Sequence, residues 1–183
     1  MHKITCFGEV LWDVFPTHKK VGGAPLNVAL RLHSFKNDVS IISSIGNDKK
    51  GRELKHYIEK QGLSTLYIQT NNSYETSEVA IALEEKGAAT YIIKQPCAWD
   101  YILLEEHLLT LVKSSDAFIF GSLISRNKQS EDTLKTLLNE AVFSIFDVNL
   151  RPPHYQIEKL DTLMKSASFL NLMMTNSLKS MKN

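Results

Sequence analysis

Short apolar segments alternate along this chain with longer segments in which apolar residues recur every three or four positions. The first kind predicts buried strands, and the second kind predicts amphipathic helices that cover a sheet. Predicted strands span residues 4–14, 39–45, 66–69, 117–120 and 143–148, and a further strand begins near residue 169. Helical spacing begins near residues 26, 48, 103, 133 and 157. The alternation predicts an α/β fold with a doubly wound, mostly parallel sheet, in which ligands bind at the carboxyl ends of the strands.

One pair of segments departs from this alternation. Residues 79–83 and 89–93 both have strand-forming composition, and a polar connection that contains Gly87 separates them. Two strand-like segments joined this closely predict an antiparallel hairpin. We expect this hairpin, at about residues 79–94, to act as a small lid.

Composition and charge narrow the function classes. With 183 residues and 43% hydrophobic content, the chain can bury one good core. Its formal net charge of +1 gives no broad field that would recruit nucleic acid or an anionic membrane. No apolar run approaches membrane-spanning length and the first residues lack a signal-peptide core, so we expect a cytoplasmic protein. Cys6 and Cys97 are too few and too far apart for a disulfide framework or a zinc site, so no metal site is predicted.

The clearest candidate chemistry lies between Asp13 and Asn27. Gly22 and Gly23 let the backbone approach a ligand closely, and Pro25 suits the first turn of the helix that follows. The free N–H groups of that turn would face the ligand. Asp13 can accept hydrogen bonds from two hydroxyls, and Asn27 both donates and accepts. Together these groups suit a neutral, hydroxyl-rich ligand.

The local pattern leaves other interpretations open. The two glycines also fit a simple tight turn, and the asparagine also fits a solvent-facing helix position. Asp13 also fits an ion pair with Lys19 or Lys20. Arg151 is open between an ion pair with Asp147 and contact with an anionic ligand.

Four stretches together resemble the ribokinase-like (PfkB) carbohydrate kinases, and most closely their fructokinases. They are residues 8–13 (GEVLWD), 21–29 (VGGAPLNVA), 44–48 (SIGND) with Gly51, and 146–152 (FDVNLRP). Their order and spacing fit the family from residue 4 to about residue 170. The second stretch is the most specific of the four.

The resemblance implies an enzyme that transfers the γ-phosphoryl group of Mg-ATP to a sugar hydroxyl. Four residues would hold the sugar: Asp13, Gly22, Gly23 and Asn27. Asn149 and Arg151 would line the cleft where sugar and phosphates meet. The hairpin would belong to the family's β lid, which closes over the sugar and often pairs two subunits. The sequence leaves a monomer and a homodimer through the lid both open.

The chain departs from the family in one respect. The family's catalytic half carries a Gly-Ala-Gly-Asp turn that supplies the general base and an anion hole, and no such turn occurs in these 183 residues. Phosphoryl transfer depends on positioning and electrostatic stabilisation. We therefore expect residues 1–183 to be the N-terminal part of a sugar kinase domain, with no catalytic residue of its own and no activity alone. A catalytically silent sugar-binding or lid-dimerisation module is the alternative.

The tail suggests a cause for the short chain. Where the family carries an Asn-x-x-Glu segment, this chain has Asn171 followed by Leu-Met-Met-Thr-Asn-Ser. Because methionine has a single codon, Met173 to Thr175 read one nucleotide earlier encodes Asp-Asp. We infer a frameshift near residues 170–172, with an ordinary polar C-terminus as the alternative.

Overall fold

The computed structural model describes residues 1–83 and 89–172 of the chain, and side chains within that range except those of residues 81–83, 89 and 90. Its strands are β1 (Lys3–Phe7), β2 (Leu11–Val14), β3 (Lys19–Gly22), β4 (Asp38–Gly46), β5 (Ile68–Asn71), β6 (Glu78–Leu83), β7 (Ala89–Ile93), β8 (Ala117–Gly121), β9 (Ser144–Asp147) and β10 (Phe169–Asn171). Its α-helices are α1 (Ala24–Ser34), α2 (Lys49–Lys60), α3 (Glu106–Lys113), α4 (Lys128–Leu138) and α5 (Ile157–Ser166). Short 3₁₀ turns lie at Ala98–Tyr101 and Leu123–Arg126.

Six strands form a parallel central sheet in the order β10-β9-β8-β1-β4-β5. The strand order runs outward from β1 in both directions, so the crossover helices fall on both faces. On one face, α1 and α2 bury Leu26 and Leu54 against Cys6. On the other, helices α3 to α5 pack over a cluster that includes Phe7 and Phe120. The predicted doubly wound, mostly parallel α/β fold is confirmed.

A second, four-stranded sheet has the order β3-β2-β6-β7 and is called the small sheet below. Strands β6 and β7 pair antiparallel, with Val79 opposite Ile93, as the predicted hairpin requires. Strand β2 joins this hairpin by pairing parallel to β6. The loop of the hairpin, residues 84–88, lies outside the described residues.

The prediction of one continuous strand over residues 4–14 is wrong. The chain leaves the central sheet after β1 and enters the small sheet at β2, with a bend at Gly8 between them. Gly8 has a φ of 149°, which L side chains rarely adopt. Its N–H still donates to the Ile42 carbonyl at 3.1 Å, so the bend begins at the very end of β1. Strand β3 was missed because its two lysines do not fit an apolar strand pattern.

Helix boundaries follow capping chemistry more closely than apolar spacing. Asp48 caps α2 by accepting from the Gly51 N–H at 2.7 Å, and Gly62 follows the helix with a φ of 84°, so both predicted ends are confirmed. Helix α4 begins at Lys128, earlier than the predicted residue 133. Its cap is Asn127, whose side chain accepts from the Gln129 N–H at 2.9 Å.

Strand β10 lies at the edge of the central sheet, and all three of its residues are exposed. Met173 to Thr175, on which the frameshift hypothesis rests, lie outside the described residues. Within residues 1–83 and 89–172, no helix is both long and apolar enough to cross a membrane.

A buried ion pair joins the two 3₁₀ turns. Arg126 Nε and Nη2 each donate to the Asp100 carboxylate at 2.7 Å, and the two side chains are only 2% and 0% exposed. The guanidinium also lies over the Trp99 ring, 3.9 Å from its centroid. Arg126 Nη2 further donates to the Lys94 carbonyl at 2.9 Å, directly after β7. The pair therefore ties the base of the small sheet to the main body of the fold.

We predict that Asp100→Ala lowers the free energy of unfolding by about 3–5 kcal/mol, because it leaves a buried guanidinium without its partner. Urea unfolding followed by circular dichroism measures the loss. Asp132→Ala is the matched control, because it removes an exposed ion pair with Lys128 and should change stability very little. A loss for Asp100→Ala as small as that of the control would contradict the prediction.

Candidate functional site

A cavity of about 400 Å³ lies between the small sheet and the carboxyl ends of the central strands. Strand β2 contributes Leu11 and Asp13 to its wall, and the start of α1 contributes Asn27. The segment that follows β9 contributes Asn149 and Arg151. Five of the six predicted site residues line this one cavity, and the sixth, Gly22, lies directly beside it.

Gly22 shapes the cavity through the space it leaves empty. Strands β2 and β3 pair there, with Gly22 opposite Leu11. A Cβ atom at Gly22 would lie 2.7 Å from Asp13 Cγ, closer than real contacts allow. The missing side chain therefore gives the Asp13 carboxylate its place at the wall.

Asp13 forms no ion pair with Lys19 or Lys20, the two partners that the sequence allowed. Lys19 instead pairs with Glu53 at 2.5 Å, and Lys20 lies over the Phe15 ring. Burial raises the pKa of Asp13, and the positive charge of Arg151 opposes that rise. The carboxylate is thus a half-buried acceptor without an ion-pair partner within 4 Å among the described residues.

Gly23 holds the junction between α1 and the end of β1. It has a φ of 108°, and a side chain there would run into the Glu9 carbonyl. The Ala24 N–H donates to Glu9 Oε1 at 3.2 Å, so this N–H of the first turn is not free for a ligand. Asn27, one turn further on, is exposed at the cavity wall, with its own N–H bonded to the Gly23 carbonyl at 2.9 Å. The helix thus presents the Asn27 side chain at the cavity and keeps the Ala24 N–H for the protein.

Asn149 and Arg151 reach the cavity from the loop after β9. Ser122 Oγ donates to the Asn149 carbonyl at 3.0 Å, which ties this loop to the end of β8. Arg151 has no ion pair with Asp147 within 4 Å in the described part of the chain. Its guanidinium lies 5.6 Å from the Tyr91 ring centroid, across the cavity on β7. The structure therefore does not contain the Arg151–Asp147 ion pair that the sequence left open.

Sequence reasoning missed two carboxyl groups of the cavity, Glu9 and Asp147. Burial raises the pKa of Asp147, while Arg151 and a hydrogen bond from Asn171 Nδ2 at 3.2 Å oppose the rise. Burial raises the pKa of Glu9 to about 7. The sequence did contain a signal for Glu9, because this glutamate directly precedes the apolar run Val10-Leu11-Trp12. A glutamate in such a run is expected to be buried, and a buried glutamate usually has a specific partner.

The chain matches a known protein family over most of its length. The model of the pfkB family carbohydrate kinase matches residues 1–177. A fructokinase of Salmonella typhimurium is 23% identical over 168 residues, which cover 86% of this chain and 54% of that protein. The chain spans about half the length of the curated relatives it matches.

Solved structures agree in fold. A sugar kinase from Pyrococcus horikoshii superimposes with a TM-score of 0.84 at 24% identity, covering 92% of this chain and 62% of that one. A fructokinase from Vibrio cholerae, solved with fructose, ADP and calcium ion bound, gives a TM-score of 0.77 at 20% identity, covering 93% and 59%. At these identities the likeness establishes the fold alone. With the family model matching nearly the whole chain, the chain belongs to the pfkB family of carbohydrate kinases.

Proposed function

We propose that residues 1–183 form the sugar-binding half of a fructokinase-like enzyme, which transfers a phosphoryl group from ATP to a sugar hydroxyl. The observation that carries the proposal is the convergence of Asp13, Asn27, Asn149 and Arg151 on one cavity at the carboxyl ends of the strands. These residues come from three separate parts of the chain. Family membership and the fructokinase relatives support the choice of sugar as ligand.

The cavity wall suits a sugar in both its polar and its apolar parts. Each sugar hydroxyl donates and accepts, so a carboxylate acceptor such as Asp13 and the amide of Asn27 satisfy different hydroxyls. Leu11, Val79 and Ile93 give the wall apolar surface for the C–H faces of the ring. Few well-placed polar groups on an otherwise apolar wall are typical of small-molecule sites.

The phosphate side of the reaction rests on Arg151 and on the nucleotide itself. Arg151 supplies a guanidinium that remains positive at all relevant pH values and matches phosphate geometry. Within the described residues, no three acidic, histidine or cysteine side chains lie close enough together to hold a metal ion. We propose that Mg²⁺ arrives bound to the ATP phosphates, as this ion commonly does in kinases.

We predict that Asp13→Ala weakens fructose binding at least roughly tenfold, because it removes a charge-assisted acceptor that contributes about 1.5–3 kcal/mol. Isothermal titration calorimetry with fructose measures the change. Asp132→Ala, on the exposed face of α4, serves as the control and should bind fructose like the unaltered chain. Equal affinities for both variants would remove Asp13 from the sugar site.

We expect these 183 residues to bind the sugar but not to catalyse its phosphorylation. They contain no Gly-Ala-Gly-Asp turn, so they lack the base and the anion hole that the family resemblance implies. We expect a coupled ADP-release assay with fructose and Mg-ATP to stay at background. Turnover at about 1 per second or faster would contradict this expectation.

The alternative role, pairing of two chains through the small sheet, has an observation of its own in its favour. Strand β7 is an edge strand, and it exposes Ile92 and Tyr91 at 63% and 47%. Exposed apolar side chains on an open edge favour association with another chain. This pairing is compatible with sugar binding and does not replace it.

For that alternative, we predict a homodimer by light scattering after size-exclusion chromatography, and a monomer for Ile92→Asp. The charge would be buried at the interface without a partner. Leu66→Asp is the control, because Leu66 is at least as exposed as Ile92 but lies outside the small sheet. A monomeric unaltered chain would rule the pairing out.

A further inference from the structure

Glu9 is a buried carboxyl group that the proposed sugar site has not yet used. It lies between β1 and β2, is 4% exposed, and is one of the residues that line the cavity. Its Oε1 accepts from the Ala24 N–H at 3.2 Å. Its Oε2 is buried and has no hydrogen-bond partner among the described residues. One oxygen is thus fixed by the protein, and the other is left without a donor.

A carboxylate oxygen in this position is costly unless a donor reaches it. Buried polar groups are nearly always hydrogen-bonded, and an unsatisfied one costs about 1–3 kcal/mol or more when charged. The charged groups that act on Glu9 are Arg151, which favours the ionised form, and Asp147, which disfavours it. Asp13 lies on the same cavity wall. The backbone N–H of Glu9 itself also favours the ionised form. By hydrogen-bond geometry, however, no group in the described structure donates to Oε2.

We propose that Glu9 is a further sugar-binding residue, whose Oε2 accepts a hydrogen bond from a sugar hydroxyl while Oε1 keeps the Ala24 N–H. The inference rests on the proposed function, since it takes a sugar as the occupant of the cavity. Glu9 lines the cavity, and the terminal torsion of a glutamate is soft, so the carboxyl can adjust to a ligand bound there. A hydroxyl-rich ligand then supplies the donor that the protein lacks.

The role has a measurable proton linkage. With a pKa of about 7, the Glu9 carboxyl of the free protein is about half protonated at neutral pH. A hydroxyl that donates to Oε2 favours the ionised form, so binding lowers this pKa and the displaced proton passes to the buffer. Fructose affinity should therefore rise with pH, by up to about tenfold from pH 6 to pH 8, and binding at pH 7 should release up to about half a proton.

Isothermal titration calorimetry with fructose tests this on three proteins: the unaltered chain, Glu9→Gln and Glu131→Gln. Titrations at pH 6, 7 and 8 give the affinity profile, and two buffers of different ionisation enthalpy give the number of protons released at pH 7. Glu9→Gln keeps an oxygen that can accept from the Ala24 N–H, but it cannot ionise. Because it preserves this contact, it tests the role of the Glu9 charge without the larger structural change that Glu9→Ala would make. Glu131→Gln is the matched control, because Glu131 is also buried but pairs with Lys135 and Lys159 on a different part of the fold.

We expect Glu9→Gln to bind fructose about tenfold more weakly than the unaltered chain at pH 8 and to release fewer protons at pH 7, by up to about half a proton. Any pH dependence that Asp13 and Asp147 cause remains in this variant, so the difference between the two profiles belongs to Glu9. Glu131→Gln should behave like the unaltered chain in both respects. Fructose binding that is unchanged in Glu9→Gln, or that takes up protons in the unaltered chain, overturns the role of Glu9 and leaves the sugar site intact. Failure of the unaltered chain and of Glu131→Gln to bind fructose at all overturns the proposed function, and the role of Glu9 with it.

Discussion

The contact between the backbone at Glu9 and the turn at Gly23 is the constraint on which the rest of the site depends. The chain must leave the central sheet at Gly8, pass through β2 and β3 of the small sheet, and then return to the end of β1 to begin α1 at Ala24. Positive φ angles at Gly8 and Gly23 make both turns possible. A side chain at Gly8 would press on Pro25, and one at Gly23 would press on the Glu9 carbonyl. The two glycines thus bring the first strand, the small sheet and the first helix to one place.

The electrostatics of the cavity follow from that crowding. Three carboxyl groups, those of Glu9, Asp13 and Asp147, share one cavity, and burial raises the pKa of each. Arg151 is the group that opposes the rise at all three. Arg151 lies beyond ion-pair distance from these carboxyl groups. Its charge therefore lowers their pKa values without a direct ion pair to any of them. They remain available as acceptors, which a ligand rich in hydroxyls can use.

The sequence predicted the fold well where apolar patterning and local geometry agree. Asp48 and Gly62 mark the two ends of α2. A side-chain cap and a left-handed glycine are local features, so both can be predicted from the residues at the helix ends alone. The break at Gly8 could not be predicted in this way, because apolar residues continue on both sides of it. Asp13 and Asn27 were identified through a short motif. Glu9 was not, because its importance comes from burial, and burial depends on contacts with residues far along the chain.

The small sheet has a consequence for how the chain folds. Its first two strands end at Gly22, yet β2 pairs with β6, so that Trp12 lies opposite Glu78. Pairing of such distant segments is slow, because the loop between them must close before any contact is gained. In the central sheet, β1 pairs with β4 over a shorter separation, with Lys3 opposite Asp38, and with β8 over a longer one, with Ile4 opposite Ala117. During synthesis, β2 and β3 therefore leave the ribosome well before their partner exists. The ligand cavity, whose wall includes both β2 and the segment after β9, is among the last parts of the molecule to be completed.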